Sequence, residues 1–351
     1  MNMNRLYVDF HIIQTVPPSC VNRDDTGRPK TAFYGGANRA RVSSQAWKHA
    51  MRALFTEIFS EEKLGYRTKY AVSLIESILK QNGVSDEDAA KKAVTAMTNA
   101  GVKINEKKEN TTGALFFISS KQAKALADLV LAGNDKKEEY KDALKENPSV
   151  DIALFGRMVA DETSLSVDAA SQVAHSISTH AIQNEYDYFT AVDDYKQDDN
   201  AGAGHLGTME FNSATLYRYA TVNVGELLQT IGSDATDALR GFAEAMIRSM
   251  PSGKQNSYAN KTLPDLVYVT IRNDQPVNLC GAFEKPVSGS DGFIAKSVAA
   301  LFKHAETIYA DYCGEPVKSF VIGHDAILGA EKTNLKGLLD ALSQIEMNGV
   351  S

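Results

Sequence analysis

Apolar and polar positions alternate from Leu6 to Thr15, with Val8, Phe10 and Ile12 on one face and Tyr7, Asp9 and His11 on the other. A period of two belongs to a half-buried strand, and Pro17-Pro18 is expected to end it. From Ser19 to Ala40 no period persists. Gly27, Pro29 and Gly35-Gly36 there predict a long loop, and long ordered loops in compact domains are often functional. The period then changes. Trp47, Met51, Leu54 and Phe55 recur at i, i+4, i+7 and i+8, which predicts a helix capped by Ser43 or Ser44. A second stripe of the same helix carries Gln45, Lys48, His49 and Arg52.

Helical patterns dominate residues 60–148. They run over Thr68–Gln81, Ser85–Ala100, Ser120–Ala132 and Lys136–Glu146, punctuated by Gly83, Gly101, Gly133 and Pro148. Phe116-Phe117-Ile118 predicts a short strand among them. Residues 150–182 are mixed, with a helix expected over Ala169–His180. Residues 183–214 are acidic and then glycine-rich, which suggests a projecting, irregular arm. Beyond it come a strand over Phe211–Val222, a helix over Asp234–Met250, a strand over Leu266–Arg272, a helix over Phe293–Tyr309 and a strand over Lys318–Ile322. Leaving out the helical block and the arm, the order is close to βα…β-α-β-α-β. It predicts an α+β fold: an open antiparallel sheet with helices on one face, the ferredoxin-like or RRM-like plan.

Composition narrows the class. The 351 residues are 43% hydrophobic and 23% charged, which is ordinary globular usage. No apolar run is long enough to span a bilayer. The first residues hold no apolar core with a small-residue cleavage site, so no secretory signal is expected. Cys20, Cys280 and Cys313 are too few and too scattered for a disulfide framework or a zinc knuckle. A cytoplasmic, reducing setting is the expectation.

A net charge of −7 argues at first against nucleic acid. Its distribution reverses that. Between Cys20 and Arg52 stand seven basic residues and two acids, a local +5, so the remainder of the chain carries −12. Charge segregated in this way predicts a basic patch on an acidic body. The helix after Ser43 adds to it, because a helix N-terminus offers free N–H groups to phosphate. Ser43, Ser44 and Gln45 supply neutral donors there, and Lys48 and Arg52 supply charge one and two turns on.

Other patterns are weaker. Gly202-x-Gly-x-x-Gly207 has the letters of a dinucleotide fingerprint, but no strand leads into it and no helix follows. His175 and His180 are five apart, the wrong spacing for a helical zinc pair, and His175 is expected to be a packing residue. Asp193, Asp194, Asp198 and Asp199 are adjacent acids of the solvated kind. No metal site is expected, and no nucleophile–base grouping stands out. Met158 lies near a loop, and Leu206 sits among glycines where burial is hard. An exposed apolar tip of that kind suits a wedge against bases or a partner surface.

Nine blocks occur in a distinctive order: Asn22-Arg-Asp-Asp25, Tyr34-Gly-Gly36, Arg41-Val-Ser-Ser-Gln45, Lys48-His-Ala-Met-Arg52, Val150-Asp-Ile-Ala-Leu-Phe-Gly-Arg-Met158, Ser176-Ile-Ser-Thr-His180, Phe189-Thr-Ala-Val-Asp-Asp194, His205-Leu-Gly-Thr208 and Gly253-Lys-Gln255. Together they resemble the CasC family, the backbone subunits of the type I-E CRISPR Cascade complex. The resemblance covers most of the chain and weakens over 60–148 and at the C-terminal end. It implies an RRM-like palm (1–58, 150–182 and 215–351), helical fingers (59–149) and a thumb hairpin (183–214). It implies a non-catalytic protein without a cofactor, many copies of which line up on one guide RNA. Arg23, Ser43, Gln45, Lys48, His49, Arg52, Lys254 and Gln255 would contact the guide backbone. Phe189, Thr190 and His205 would contact RNA from the thumb. Met158 and Leu206 would flank a kinked-out base, and Lys30 is similar to a loop lysine that approaches target DNA. The implied partners are crRNA, the target DNA strand, further copies of the chain, and CasA, CasB, CasD and CasE, with no membrane. Here the sequence departs from the family at His49, where a more strongly basic residue is usual, and at Lys285–Ser290, which is poor in lysine.

The physics of the residues suits that role. A guide must be held whatever its sequence, which calls for contacts to phosphate and sugar rather than to bases. Reading is then left to base pairing. No aromatic platform of the RRM type is evident on the sheet, so base stacking there is not expected. Two other functions would suit an RRM-like chain: a CRISPR endoribonuclease using His49 or an acid of the 193–199 cluster, or a scaffold that binds protein alone.

Overall fold

The computed structural model describes residues 5–105, 107–190 and 206–345. Strand β1 (Tyr7–Ser19) passes through Pro17 and Pro18 instead of stopping there, with a register shift between Val16 and Ser19. The irregularity takes the prolines out of the hydrogen-bonded ladder, which is where a strand tolerates them. The expected long loop contains a hairpin, β2 (Thr31–Tyr34) and β3 (Ala37–Val42). Gly35 and Gly36 turn it with φ of +58° and +76°, the left-handed pair that matches strand twist in a two-residue turn. Helix α1 (Ser44–Ile58) follows, and Ser43 Oγ accepts from the Ala46 N–H as its cap. Trp47, Met51 and Phe55 are buried on its inner face, as the periodicity requires.

The next block has a core of its own. It comprises β4 (Gly65–Thr68), α2 (Ala71–Gln81), α3 (Asp86–Asn99), β5 (Ile104–Asn105), β6 (Thr111–Thr112), β7 (Phe116–Ser119), α4 (Ser120–Leu131) and α5 (Lys137–Lys145). All four helices lie where the apolar pattern places them. Ser85 caps α3, and Ser119 forms a capping box with Gln122 at the start of α4. Ile75, Leu79, Met97, Ile118, Leu126 and Leu144 fill this core, and Val159 and Leu165 join it from beyond residue 149.

Helix α6 (Val150–Phe155) leads back to the main sheet. The helix expected over Ala169–His180 is instead two short strands, β8 (Ser171–Val173) and β9 (Ser176–Ser178). Pairing with a long neighbouring strand outweighs the weak helical spacing there. The expected irregular arm is, where described, a ribbon of β10 (Glu185–Thr190) against β11 (Leu206–Asn223), in register from Glu185↔Phe211 to Thr190↔Leu206. The rest comprises α7 (Val224–Ile231), α8 (Ala235–Arg248), α9 (Gln255–Tyr258), β12 (Leu266–Arg272), α10 (Ile294–Ile308), β13 (Lys318–Ile322), β14 (Glu331–Lys332) and α11 (Leu335–Ser343). Here α8, β12, α10 and β13 match the sequence pattern, whereas α7, β14 and α11 are additions to it.

The sheet runs β14-β13-β12-β1-β11-β9-β3-β2, with β8 and β10 also on β11. Thus β1 lies between β11 and β12, antiparallel to both. On one face Val8, Phe10 and Ile12 pack with Met51 and Phe55 of α1 and with Leu239 and Phe242 of α8. Helices were expected on one face alone, but both faces are covered. There Ile13, Tyr217, Tyr219 and Tyr268 pack under Val298, Leu301 and Phe302 of α10. This is why the polar face of β1 is dry: Asp9 and His11 are both fully buried. Tyr219 donates to Asp9 Oδ1 at 3.1 Å and the Val277 N–H donates to Oδ2 at 2.8 Å. Burial pushes the Asp9 carboxyl up to about 6. Burial, with Arg272 nearby, pushes the His11 imidazole down to about 3. Among the described residues no helix is long and apolar enough to cross a membrane.

Candidate nucleic-acid interface

One groove gathers much of the basic stripe. Gln45, Lys48, His49 and Arg52 of α1 form one wall. Arg67 of β4, Phe117 of β7 and the preceding Leu115 form the opposite wall. Phe155, Gly156 and Arg157 lie at its base and Met158 at its rim.

The N-terminal end of α1 opens this groove. Ser43 is 5% exposed, its oxygen is engaged as the helix cap, and its N–H donates to Asn22 Oδ1 at 2.9 Å. Only its hydroxyl hydrogen remains for a ligand. The next two amides, of Ser44 and Gln45, have no partner among the described residues, as expected for a helix start. The Asn22 bond holds the exposed Arg23 close to this end of the helix. Gly253 packs so tightly on the same loop that a Cβ there would lie 2.0 Å from the Val21 carbonyl oxygen. That approach brings Lys254 and Gln255 alongside. The Cys20 thiol, pushed up by burial, is drawn back by the charges of both Arg23 and Lys254.

Lys48 is half-buried and has no acidic partner among the described residues. Its Nζ lies 5.6 Å from the centre of the Phe155 ring, and burial pushes its ammonium pKa below the ordinary lysine value. Gln45 and His49 are exposed. Arg52 is held on one side: its Nε donates to Asp151 Oδ2 at 3.1 Å, its Nη2 to the Gly65 carbonyl at 3.3 Å, and its guanidinium lies 4.5 Å from the Phe117 ring centre.

The basic segment does not gather as a whole. Arg39 is fully buried, donating to the carbonyls of Ser178 at 2.7 Å and Phe283 at 2.8 Å. Arg28 pairs with Glu210 at 2.8 Å. Arg41 donates to the Thr31 carbonyl and meets His175 Nδ1 at 3.1 Å. Lys30 stands with Arg41 by His175, whose pKa burial and both cations lower, and it is not part of the groove lining. His175 is exposed in the link between β8 and β9 rather than packed, because its segment is not the expected helix. His180 is the packed one, stacked 3.7 Å from the Phe293 ring.

Met158 is 89% exposed. Beside it Arg157 is buried, donating to the carbonyls of Leu165, Phe117 and Leu144 and to Gln122 Oε1. On the ribbon, the Phe189 ring covers Gly207, where a Cβ would lie 2.3 Å away, and Thr190 is exposed opposite Leu206. His205, the four acids Asp193, Asp194, Asp198 and Asp199, and most of the Gly202–Gly207 motif lie outside the described residues. Among the described residues no group of three or more His, Cys, Asp or Glu could hold a metal ion.

The sequence reading missed Arg67, Phe117 and Arg157 as parts of this site. Arg67 sits on β4, in a stretch read only for helices. The available signal was Phe116-Phe117-Ile118, a strand that needed a partner; Arg67 pairs with Phe117 in that ladder.

Residues 8–345 match the model of a family described as CT1975-like protein. The chain belongs to the CT1975-like family. This CT1975-like protein is also similar to a chain of a solved structure titled "CRISPR RNA-guided surveillance complex, pre-nicking", with 32% identity, a TM-score of 0.84, and coverage of 96% of this chain and 99% of that one. A second, titled "CRISPR RNA-guided surveillance complex", shares 29% identity with a TM-score of 0.63, over 95% of this chain and 99% of that one. No curated protein matches it. The CasC-type reading of the motifs and these matches agree, and the α+β architecture of the CT1975-like protein is that of the matched subunit.

Proposed function

We propose that this CT1975-like protein is a non-catalytic, guide-RNA-binding backbone subunit of a type I-E Cascade complex. Several copies line up along the crRNA spacer and present it to the target DNA strand, beside CasA, CasB, CasD and CasE. Each thumb kinks out one base at regular intervals, with Met158 and Leu206 flanking the gap. The observation that carries the reading is the groove: Lys48 without a counter-ion among the described residues, next to the open amides of α1 and across from Arg67. Such a groove grips a polyanion and offers little to base edges. Arg23, Lys254 and Gln255 extend it at the helix end, and the rim at Met158 is apolar and exposed. The matches to CRISPR surveillance-complex chains support the same reading.

The test is binding of labelled RNAs of unrelated sequence over a range of salt. Affinities should be alike, and log K should fall linearly with log salt. Lys48→Gln and Arg67→Gln should each lower that slope by about 0.7, one single-strand phosphate contact. Arg52→Glu is a poor probe, since it would set a second carboxylate against the buried Asp151. Strong preference for one sequence without a salt effect would overturn the proposal. So would Mg²⁺-dependent cleavage of the labelled RNA, the mark of an endoribonuclease.

A further inference from the structure

Asp151 is 2% exposed, yet its carboxylate faces three donors from three segments. Ser149 Oγ donates to Oδ1 at 2.6 Å, the Gly65 N–H to Oδ1 at 2.9 Å, and Arg52 Nε to Oδ2 at 3.1 Å. Gly65 closes the circuit by accepting from Arg52 Nη2 through its carbonyl at 3.3 Å. A side chain at Gly65 would force its neighbours to shift: a Cβ would lie 2.6 Å from Ser149 Oγ and 3.0 Å from the Ile118 carbonyl oxygen. The Phe117 ring blocks one face of the guanidinium at 4.5 Å. Two of the three Arg52 nitrogens are therefore occupied on the side away from the groove. Nη1 has no partner among the described residues, and Arg52 lines the groove with a quarter of its side chain exposed.

We infer that Asp151 is a positioning residue for nucleic-acid binding: it holds Arg52 by Nε so that Nη1 is presented to a backbone phosphate in the groove. The inference rests on the RNA-binding reading above. An arginine fixed in this way loses less side-chain freedom on binding than a free one, so more of each hydrogen bond appears as affinity. A purely structural staple makes the opposite forecast. Asp151 is a negative charge close to a groove for a polyanion, so if it only held the fold, removing its charge would tighten RNA binding at low salt.

The experiment compares wild type, Arg52→Gln, Asp151→Asn and the double variant. Affinity and salt slope are measured on a labelled oligoribonucleotide of mixed sequence, with thermal melts to confirm folding. Asp151→Asn should weaken binding about tenfold, the scale of one charge-assisted hydrogen bond. It should also flatten the salt slope by about 0.7, as Arg52→Gln does. The double variant should bind no more weakly than Arg52→Gln alone. Tighter or unchanged binding by Asp151→Asn, with Arg52→Gln weakened, overturns the inference and leaves the RNA-binding reading intact. Unchanged binding by Arg52→Gln also overturns the inference, whereas a wild type indifferent to salt sinks the reading beneath it. If Asp151→Asn does not fold, Ser149→Ala serves instead. It keeps the charge but frees the carboxylate, so a smaller loss, absent in the Arg52→Gln background, is expected; no loss there counts against the inference.

Discussion

The Arg218 guanidinium lies 3.7 Å from the centre of the Trp47 ring, and both side chains are buried. Arg218 also donates to Gln14 Oε1 at 2.6 Å and to the Met246 carbonyl, while Trp47 Nε1 donates to Ser176 Oγ at 2.9 Å. This contact ties α1 to β1, β9, β11 and α8 at once, and so sets the wall of the groove. Trp47→Ala should cost about 3–5 kcal/mol, the usual loss for a buried large aromatic. Chemical denaturation would measure it. A loss under 1 kcal/mol would mean that α1 is anchored elsewhere.

Arg157 is a buried cation that satisfies three carbonyls and one side-chain amide oxygen while its neighbour Met158 stands in solvent. Burial pushes its pKa down to about 10, so it remains charged at neutral pH. Arg157→Met removes four buried hydrogen bonds, although the Leu144 carbonyl keeps Gln122 Nε2 and Gln122 Oε1 keeps the Ser119 N–H as donors, and should destabilise by about 3 kcal/mol. Met158→Ala, at an exposed position, should stay within about 0.5 kcal/mol of wild type. Parallel melting curves check both, and hydrogen exchange over residues 156–167 should rise in the Arg157 variant alone.

On the proposed RNA-binding reading, Lys48 should make affinity pH-dependent in the alkaline range. Burial lowers its pKa in the free protein, and a bound phosphate favours the ammonium form, so the pKa rises again on binding. Between the two values binding takes up a proton, and affinity must fall as pH rises. Lys48→Arg, charged throughout, should bind with a flatter profile over roughly pH 7 to 10. Titrations with a 2′-O-methyl RNA, which resists alkaline cleavage, would show it. Identical profiles for the two proteins would remove Lys48 from the contact.

Asp9 should leave its mark on stability rather than on binding. Its carboxyl stands at about 6 in the folded chain against an ordinary 3.8. The folded state therefore holds the extra proton between those values, and this group's contribution to stability is present in acid and lost as pH rises through about 6. Asp9→Asn does not titrate. The wild type should gain about 2 kcal/mol relative to it from pH 7 to pH 4. Denaturation of both at several pH values isolates the difference, because every other group cancels.

Local pattern alone announced α1, α8, α10, β12 and β13, the four helices of residues 60–148, and the stripe of Gln45, Lys48, His49 and Arg52. Those features depend on neighbours a few residues away, and a helical or strand period records them directly. Patterns are weaker where pairing decides. Ser171–Ser178 is strand because β11 lies beside it, and Gly35-Gly36 makes a hairpin because two short runs find each other.

Charge was legible only as a total. Counting put seven cations between Cys20 and Arg52, but packing sends Arg39 inward, pairs Arg28 with Glu210, turns Arg41 to His175 and leaves Lys48 without a counter-ion among the described residues. Arg52 meets a carboxylate 99 positions away, and Arg67 faces α1 across a groove that neither segment forms alone. Residue types and short-range spacing thus marked the side chains of the α1 stripe as suited to grip a polyanion, but not Arg67 opposite it. Which of them are free to do so was decided by long-range contacts, because a charge's availability depends on what the fold brings beside it.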